Sequence, residues 1–469
     1  MPAPHRAAVL AALAEVPDHF SLLDPGDRGW PVRRLPARDL VAVLHNAAPN
    51  RVLLEPRPRS EGRRSYLGED AGVEIEFWDR LPDGTLVAPR PNRWTQSVPP
   101  GTPTTTVREH GFDVPTLELM AAPTPFDVGF PIDVVYTWVD GDDPSWNAAR
   151  AAREGADARK ESAGRARFRS RDELRYSMRS LHLFAPRVHK IFLVTAGQRP
   201  TRLKDDPRIT LVDHRDILPA DALPTFNSQA IETALHKIPG LAEHFVYVND
   251  DVFLGRPTRP ELFFSPGGAA AAFVGDNAIG LPGTADKPFL HAAANNRALL
   301  EDVFGVEITR VMAHSPHPQR VSVLTEIEQR FPDAVGRTAR APFRSETDVS
   351  LLSNLAQHYG LITGRAFAAT AQHAFVDLSN ARVGRQLKQL RARDHDFFCV
   401  GDHHDFAVDA EAVDAMLAAF LEDYFPLAAP QGDVSAGRSL TSSRAAPPAR
   451  AGGRRCAGPS CAGPRACPR

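Results

Sequence analysis

Asn249-Asp250-Asp251 carries the densest chemistry in the chain. It follows Phe245-Val246-Tyr247-Val248, whose β-branched and aromatic residues predict a buried strand. Apolar residues resume at once with Val252-Phe253-Leu254. Two adjacent carboxylates just past a buried strand are costly unless something compensates them. A divalent cation, often bridging to a substrate phosphate, is the usual compensation. Strand C-termini in an α/β sheet are also where ligands bind. An Asx-turn that merely ends a strand is the plainer alternative, and the tripeptide by itself admits both.

The motif recurs. Ile132-Asp133-Val134-Val135-Tyr136-Thr137-Trp138-Val139 is a near-continuous apolar run, as in a strand covered on both faces, and it ends in Asp140-Gly141-Asp142-Asp143-Pro144. Far downstream, Phe397-Phe398-Cys399-Val400-Gly401 also ends in an aspartate, Asp402. His314-Ser315-Pro316-His317-Pro318 is a histidine-bearing turn, and Arg344 stands in Phe343-Arg344-Ser345.

The elements that must position these residues follow from the patterning. Ser170 and Glu173 have capping-box spacing, and Leu174, Met178 and Leu181 predict one apolar helix face, with Arg171, Arg175 and Arg179 along another. Lys190–Thr195 and Arg208–Asp213 predict two strands. Asn227 or Ser228 can cap a helix that carries Ile231, Leu235 and Ile238 inward and Glu232 near its positive end. A helix is expected from near Asn295 to Gly305, another from Asp348 through Tyr359, and a last one over Ala410–Phe425. The order β-α-β-β-α-β argues for a parallel or mixed α/β sheet.

The bulk composition narrows the class. A chain of 469 residues with 43% hydrophobic and 24% charged residues is ordinary for a soluble globular protein of two or three domains. A formal net charge of -2 offers no electrostatic case for nucleic acid or an anionic membrane as main partner. The N-terminus lacks the pattern of a signal peptide, and no window is apolar enough to span a membrane. A cytoplasmic protein is therefore expected, with room for peripheral association at the inner face of a membrane. Oligomeric state is not legible. Residues 1–126, with a turn at Pro82-Asp83-Gly84 in a predicted hairpin and proline-rich linkers, read as a small α+β unit. The stretch Arg150–Arg169 is strongly basic, a solvated segment or a flap over an anionic substrate. Residues 427–469 are rich in Ala, Gly, Pro and Arg and are expected to be disordered. Their Cys456, Cys461 and Cys467 lack the paired spacing of a zinc site.

Four ordered pieces resemble the Stealth family of sugar-phosphate transferases: Asp133 to Gly141, Arg169 to Asp251, His314 to Arg344, and Phe398 to Asp402. The second is the most specific, with D-E-L-R-Y-S, L-V-T-A-G-Q, L-P-T-F-N-S-Q-A-I-E and Y-V-N-D-D-V-F in order. That family comprises bacterial capsular polysaccharide phosphotransferases, similar to the catalytic subunit of the animal N-acetylglucosamine-1-phosphotransferase. The resemblance implies a Rossmann-like, glycosyltransferase-A-like mixed sheet flanked by helices over 127–426. It also implies a UDP-sugar donor, a glycan or polysaccharide acceptor, and Mg²⁺ or Mn²⁺.

Carried residue by residue, the resemblance makes Glu232, Asp251, His314 and Arg344 the expected catalytic residues. The metal would sit on Asp251 with Asp250 in support. Asp402 is a further expected ligand; the family's fourth block reads closer to C-x-N-D, and Gly401 stands here before the aspartate. Trp138, Asp140, Gly141, Arg171, Asn227, Ser228 and Asn249 are expected substrate contacts. The chemistry is compatible with each type. Transfer of a hexose-1-phosphate puts an acceptor hydroxyl on the β-phosphorus and expels UMP, so positioning and charge neutralisation carry the reaction. Arg344 offers a planar fork for phosphate, and His314 can exchange a proton near neutrality. Glu232 could orient His314, complete the metal shell or act as the base. A metal-dependent glycosyltransferase that releases UDP and a non-catalytic nucleotide-sugar-binding protein are the alternatives.

Overall fold

A computed structural model gives the fold, describing residues 40–44, 51–56, 59–60, 63–64, 73–91, 95–109, 112–154, 170–201, 203–281, 283, 287–401 and 410–426. The basic stretch from 155 to 169, Asp402 and the tail from 427 lie outside the described residues, and so does the N-terminus to residue 39.

The central sheet has five strands: β1 (Ile132–Thr137), β2 (Ile191–Thr195), β3 (Ile209–Asp213), β4 (His244–Asn249) and an edge strand at His317–Arg320. Its order is β3-β2-β1-β4-edge. The first four strands are parallel and the edge strand is antiparallel to β4. Both faces are covered, which explains the continuous apolar runs. Val134, Tyr136, Leu193, Val246 and Val248 belong to one core; Val135, Phe192, Val194, Phe245 and Tyr247 belong to the other. Alternate side chains of one strand thus feed two separate cores. The bottom of the sheet is pinned by Asp133, which is fully buried and accepts from the backbone of Lys190 and Ala242 and bonds His189 Nδ1.

Two smaller sheets extend the central one. β5 (Val252–Leu254) pairs antiparallel with Phe397–Gly401, which pairs parallel with His373–Asp377. Ala270–Ala278 lies between Arg310–Met312 and Ala366–Ala369. In the N-terminal region the hairpin turn is where expected, with Gly84 in the left-handed region (φ 89°). The strands it joins are Asp79–Arg80 and Leu86–Val87, because Val73–Glu76 pairs instead with Arg51–Pro56.

Helix expectations need four corrections. α1 (Pro144–Arg153) is capped by Asp143, whose Oδ1 accepts from Ser145 and Trp146. α2 (Glu173–Phe184) begins at Asp172 in the left-handed region and has no side-chain cap. The expected capping box is absent because Glu173 turns back to accept from Arg171 N–H, and Ser170 Oγ accepts from Asp172 N–H. The helix after Asn227 is only α3 (Ser228–Glu232), followed by a separate 3-10 turn at Leu235–Lys237. Its apolar spacing fits a longer helix, but a single α-helix does not continue past Thr233. The segment expected to be helical from Asp348 is a π-turn over Leu351–Leu355 that runs into a short helix, Ala356–Ile362. The helix expected from Asn295 starts earlier, spanning Pro288–Phe304, with Pro288 at its first turn and Gly305 (φ 64°) at its end.

The arginine face of α2 docks the last helix, Ala410–Tyr424. Arg171 Nε meets Asp414 at 2.7 Å, and Arg179 Nη1 and Arg175 Nη2 meet Glu422 at 3.0 and 3.6 Å. Among the described residues, no helix is long and apolar enough to cross a membrane.

Candidate functional site

The site forms where three distant segments meet the C-terminal end of β4. Thr137 and Asn249 are paired at the ends of β1 and β4, and Asp250-Asp251 turn the chain into β5. Tyr247 pairs with His317 on the edge strand, which brings His314 over the end of β4. Val252 pairs with Cys399, and Val400 N–H donates to the carbonyl of Asp251, so the strand Phe397–Gly401 flanks the same turn. The result is a cluster of Asp251, His314 and Cys399 whose ligating atoms all lie within 4.8 Å of one another. His314 Nε2 stands 3.8 Å from Asp251 Oδ1, an ion-pair distance too long for a hydrogen bond. The His314 side chain keeps 39% of its surface open to solvent, although protein crowds the rest of the ring.

Negative charge dominates this corner. Burial, with repulsion from Asp251 and Glu173, holds the Asp250 carboxyl well above the usual range. Burial likewise pushes Glu173 up to about 7, with the Asp251 charge adding to it. At His314 burial pulls the imidazole down, but the Asp251 carboxylate outweighs it and the net shift is upward. Burial raises the Cys399 thiol, and Asp251 reinforces the effect. Asp251 Oδ1 is buried with no hydrogen-bond partner. An unsatisfied carboxylate oxygen amid carboxyl groups that resist ionisation is the setting a divalent cation satisfies. Asp251 could hold such an ion with oxygen from Asp250, and the His314 nitrogen and Cys399 sulfur stand near the same carboxylate.

Arg344 and Glu232 stand near enough for their charges to act on His314. Arg344 Nη2 donates to Ser228 Oγ at 2.7 Å, and its buried Nε has no partner. Burial lowers the guanidinium pKa, with Glu232, Tyr247 and Asp348 opposing that shift. Glu232 is almost fully buried at 4% exposure, and it accepts from Leu352 and Ser353 N–H at 3.1 and 3.2 Å and from Ser353 Oγ. Its carboxylate therefore closes the start of the π-turn, and burial raises its pKa. These bonds hold the Glu232 carboxylate in place, with its charge acting on Arg344 and His314.

The expected substrate contacts divide. Ser228 and Asn249 border the site. Asn227 is fully buried with its polar atoms turned to protein: Nδ2 donates to Asp348 Oδ2 at 2.8 Å and to the carbonyl of Phe343, and Oδ1 accepts from Gln229 N–H. It works as a buckle between α3 and the Arg344 loop. Trp138 lies in the core, and Arg171 is engaged with Asp414. The Asp140-Gly141 loop is held by Gln198, which takes Asp140 N–H at 2.8 Å, and by Asn147, which donates to the Gly141 carbonyl. Asp402 lies outside the described residues. Sequence reasoning did not place Cys399 and Glu173 at this corner. Cys399 signals itself only by standing in a strand that ends at an aspartate, and Glu173 passes for a capping residue.

Comparison with known proteins agrees in order with this layout. Stealth protein conserved region 1 matches residues 130–158, region 2 matches 167–272, region 3 matches 313–361 and region 4 matches 388–430. An exopolysaccharide phosphotransferase of Streptomyces coelicolor is 46% identical over 382 residues, covering 78% of this chain and 65% of its own. The exopolysaccharide phosphotransferase CpsY of Mycobacterium tuberculosis is 42% identical over 385 residues, covering 79% of this chain and 71% of its own. The chain thus spans less than two thirds of the first of these relatives. Among solved structures, the galactosyltransferase LgtC in complex with donor and acceptor sugar analogues aligns over 61% of this chain and 96% of its own. It does so at 12% identity with a TM-score of 0.32, a likeness that carries no functional weight. With four conserved regions in order and extensive identity to such relatives, the chain belongs to the Stealth family.

Proposed function

We propose that the chain transfers a hexose-1-phosphate, such as N-acetylglucosamine-1-phosphate, from a UDP-sugar to a hydroxyl of a growing exopolysaccharide or glycan. The acceptor oxygen bonds to the β-phosphorus, the bond to the bridging oxygen of UMP breaks, and the acceptor proton passes to a base. The observation that carries this reading is the meeting of Asp251, His314 and Arg344 at one strand end, from segments far apart in sequence. The names of the relatives support the class of reaction.

Each residue has work that its setting suits. His314 takes the acceptor proton at Nε2; in the metal-free chain the Asp251 charge holds its pKa above that of an ordinary imidazole. Arg344, anchored at Nη2 on Ser228, still has an unpartnered Nε with which to hold a phosphoryl oxygen. Glu232 keeps that guanidinium charged despite its burial. Asn249 and Ser228 line the approach. A divalent cation on Asp251, with Asp250, would neutralise diphosphate charge when bound.

The test is a screen of UDP-sugars with Mg²⁺ or Mn²⁺ and a glycan acceptor, with nucleotide products identified by mass. UMP and a new phosphodiester are expected, and Asp251→Asn should lower the rate by roughly 10²–10⁴-fold while the chain stays folded. UDP as the sole nucleotide product would mean glycosyl transfer instead. Equal behaviour of wild type and Asp251→Asn with every donor would reduce the chain to a binding protein.

A further inference from the structure

We infer that Asp251, His314 and Cys399 also form a trap for a borderline-soft divalent cation such as Zn²⁺, which on binding withdraws His314 and Asp251 from transfer. The inhibitory consequence rests on the proposed function; the binding site does not.

The donor set is the first reason. Carboxylate oxygen, imidazole nitrogen and thiol sulfur within 4.8 Å of one another suit Zn²⁺ or Co²⁺. Mg²⁺ wants an octahedron of oxygens and gains little from sulfur, so it stays with the carboxylates. Geometry is the second. Metal–ligand bonds of about 2.0–2.3 Å in a tetrahedron place donors roughly 3.3–3.8 Å apart. The His314–Asp251 separation of 3.8 Å exceeds the roughly 3.3 Å of a nitrogen–oxygen pair on one ion by about 0.5 Å. The remaining gaps, at most 4.8 Å against roughly 3.5 Å for a sulfur–nitrogen or sulfur–oxygen pair, must close by about 1.3 Å at most, within reach of side-chain rotation.

Preorganisation is the third. Cys399 is fully buried in a strand whose register against β5 is set, so its sulfur is held in place. His314 and Asp251 are part-exposed and can swing onto an ion. Asp251 Oδ1, buried with no hydrogen-bond partner, is the acceptor the ion would satisfy. Coordination requires the thiolate, so each ion bound expels the thiol proton to solvent. Cys399 has no part in the proposed transfer, so the trap can be removed separately from the reaction.

The experiment uses the full chain with Cys456, Cys461 and Cys467 replaced by serine, leaving Cys399 as the single thiol. Titration with Co²⁺ should produce a near-ultraviolet thiolate-to-cobalt charge-transfer band that saturates at one ion per chain. The band should vanish in Cys399→Ser and in Cys399→Ala. In the Mg²⁺-supported UMP-release assay, Zn²⁺ should inhibit. Cys399→Ser should keep the Mg²⁺-supported rate and raise the half-inhibitory Zn²⁺ concentration by at least roughly tenfold, the scale of losing even an outer-shell partner. Bound Co²⁺ without the band, or unchanged Zn²⁺ inhibition in Cys399→Ser, would overturn the trap. A saturable band in a chain that releases no UMP from any donor would keep the trap and sink the transfer reading. The reverse result would do the opposite.

Discussion

Glu173 offers the sharpest quantitative test of the site's electrostatics. Its carboxyl is buried beside Asp251 and titrates at about 7 in the fold, against 4.5 for an ordinary glutamate. The folded chain therefore holds this proton to higher pH than the unfolded chain does. Stability from the group is fully present below pH 4.5 and is lost as pH rises through about 7. At about 1.4 kcal/mol per pH unit, the gap from 4.5 to about 7 amounts to a loss on the order of 3 kcal/mol. Glu173→Gln keeps an acceptor for Arg171 N–H but cannot ionise. Urea unfolding of both proteins at about pH 5 and pH 8, with a chelator present, should show the variant gaining on wild type by on the order of 3 kcal/mol as pH rises. Mg²⁺ at pH 8 should return part of that stability to wild type, because a cation on Asp250 and Asp251 relieves the repulsion. Parallel stability of the two proteins across this range, or a variant that loses ground as pH rises, would refute the reasoning.

Two further substitutions probe Arg344 and the loop that carries it. Arg344→Lys removes the planar fork and the Ser228 contact, and should lower the rate of UMP release by roughly 10²–10³-fold, with the melting temperature little changed. Asp348→Ala removes the acceptor shared by Asn227 Nδ2, Ser345 N–H and Ser345 Oγ, all of which donate to the Asp348 carboxylate. It should destabilise the fold by about 3 kcal/mol in denaturant titration. It should also slow turnover beyond the loss of folded protein, because it frees the Arg344 loop.

Much of the scaffold was legible from local pattern. The runs at Ile132, Ile191 and Phe245 were readable as strands because a strand covered on both faces must be apolar on both, and that rule is local. The four ordered motifs identified the family, and Asp251, His314 and Arg344 were legible as residue types suited to phosphate chemistry. Helix detail was less legible. Ile231, Leu235 and Ile238 keep helical spacing across a break at Thr233, and Glu173 keeps capping-box spacing while turning back to Arg171.

Only the tertiary structure decided which side chains stand around Asp251. Two long-range registers, Tyr247 opposite His317 and Val252 opposite Cys399, bring His314 and Cys399 to Asp251. Burial likewise separated Asn227, turned wholly into the protein, from its neighbour Ser228, which meets Arg344. A strand's composition states that it will be buried. Which partner it pairs with, and at what offset, is set by contacts between residues far apart in the chain, and those contacts determine the chemistry at its end.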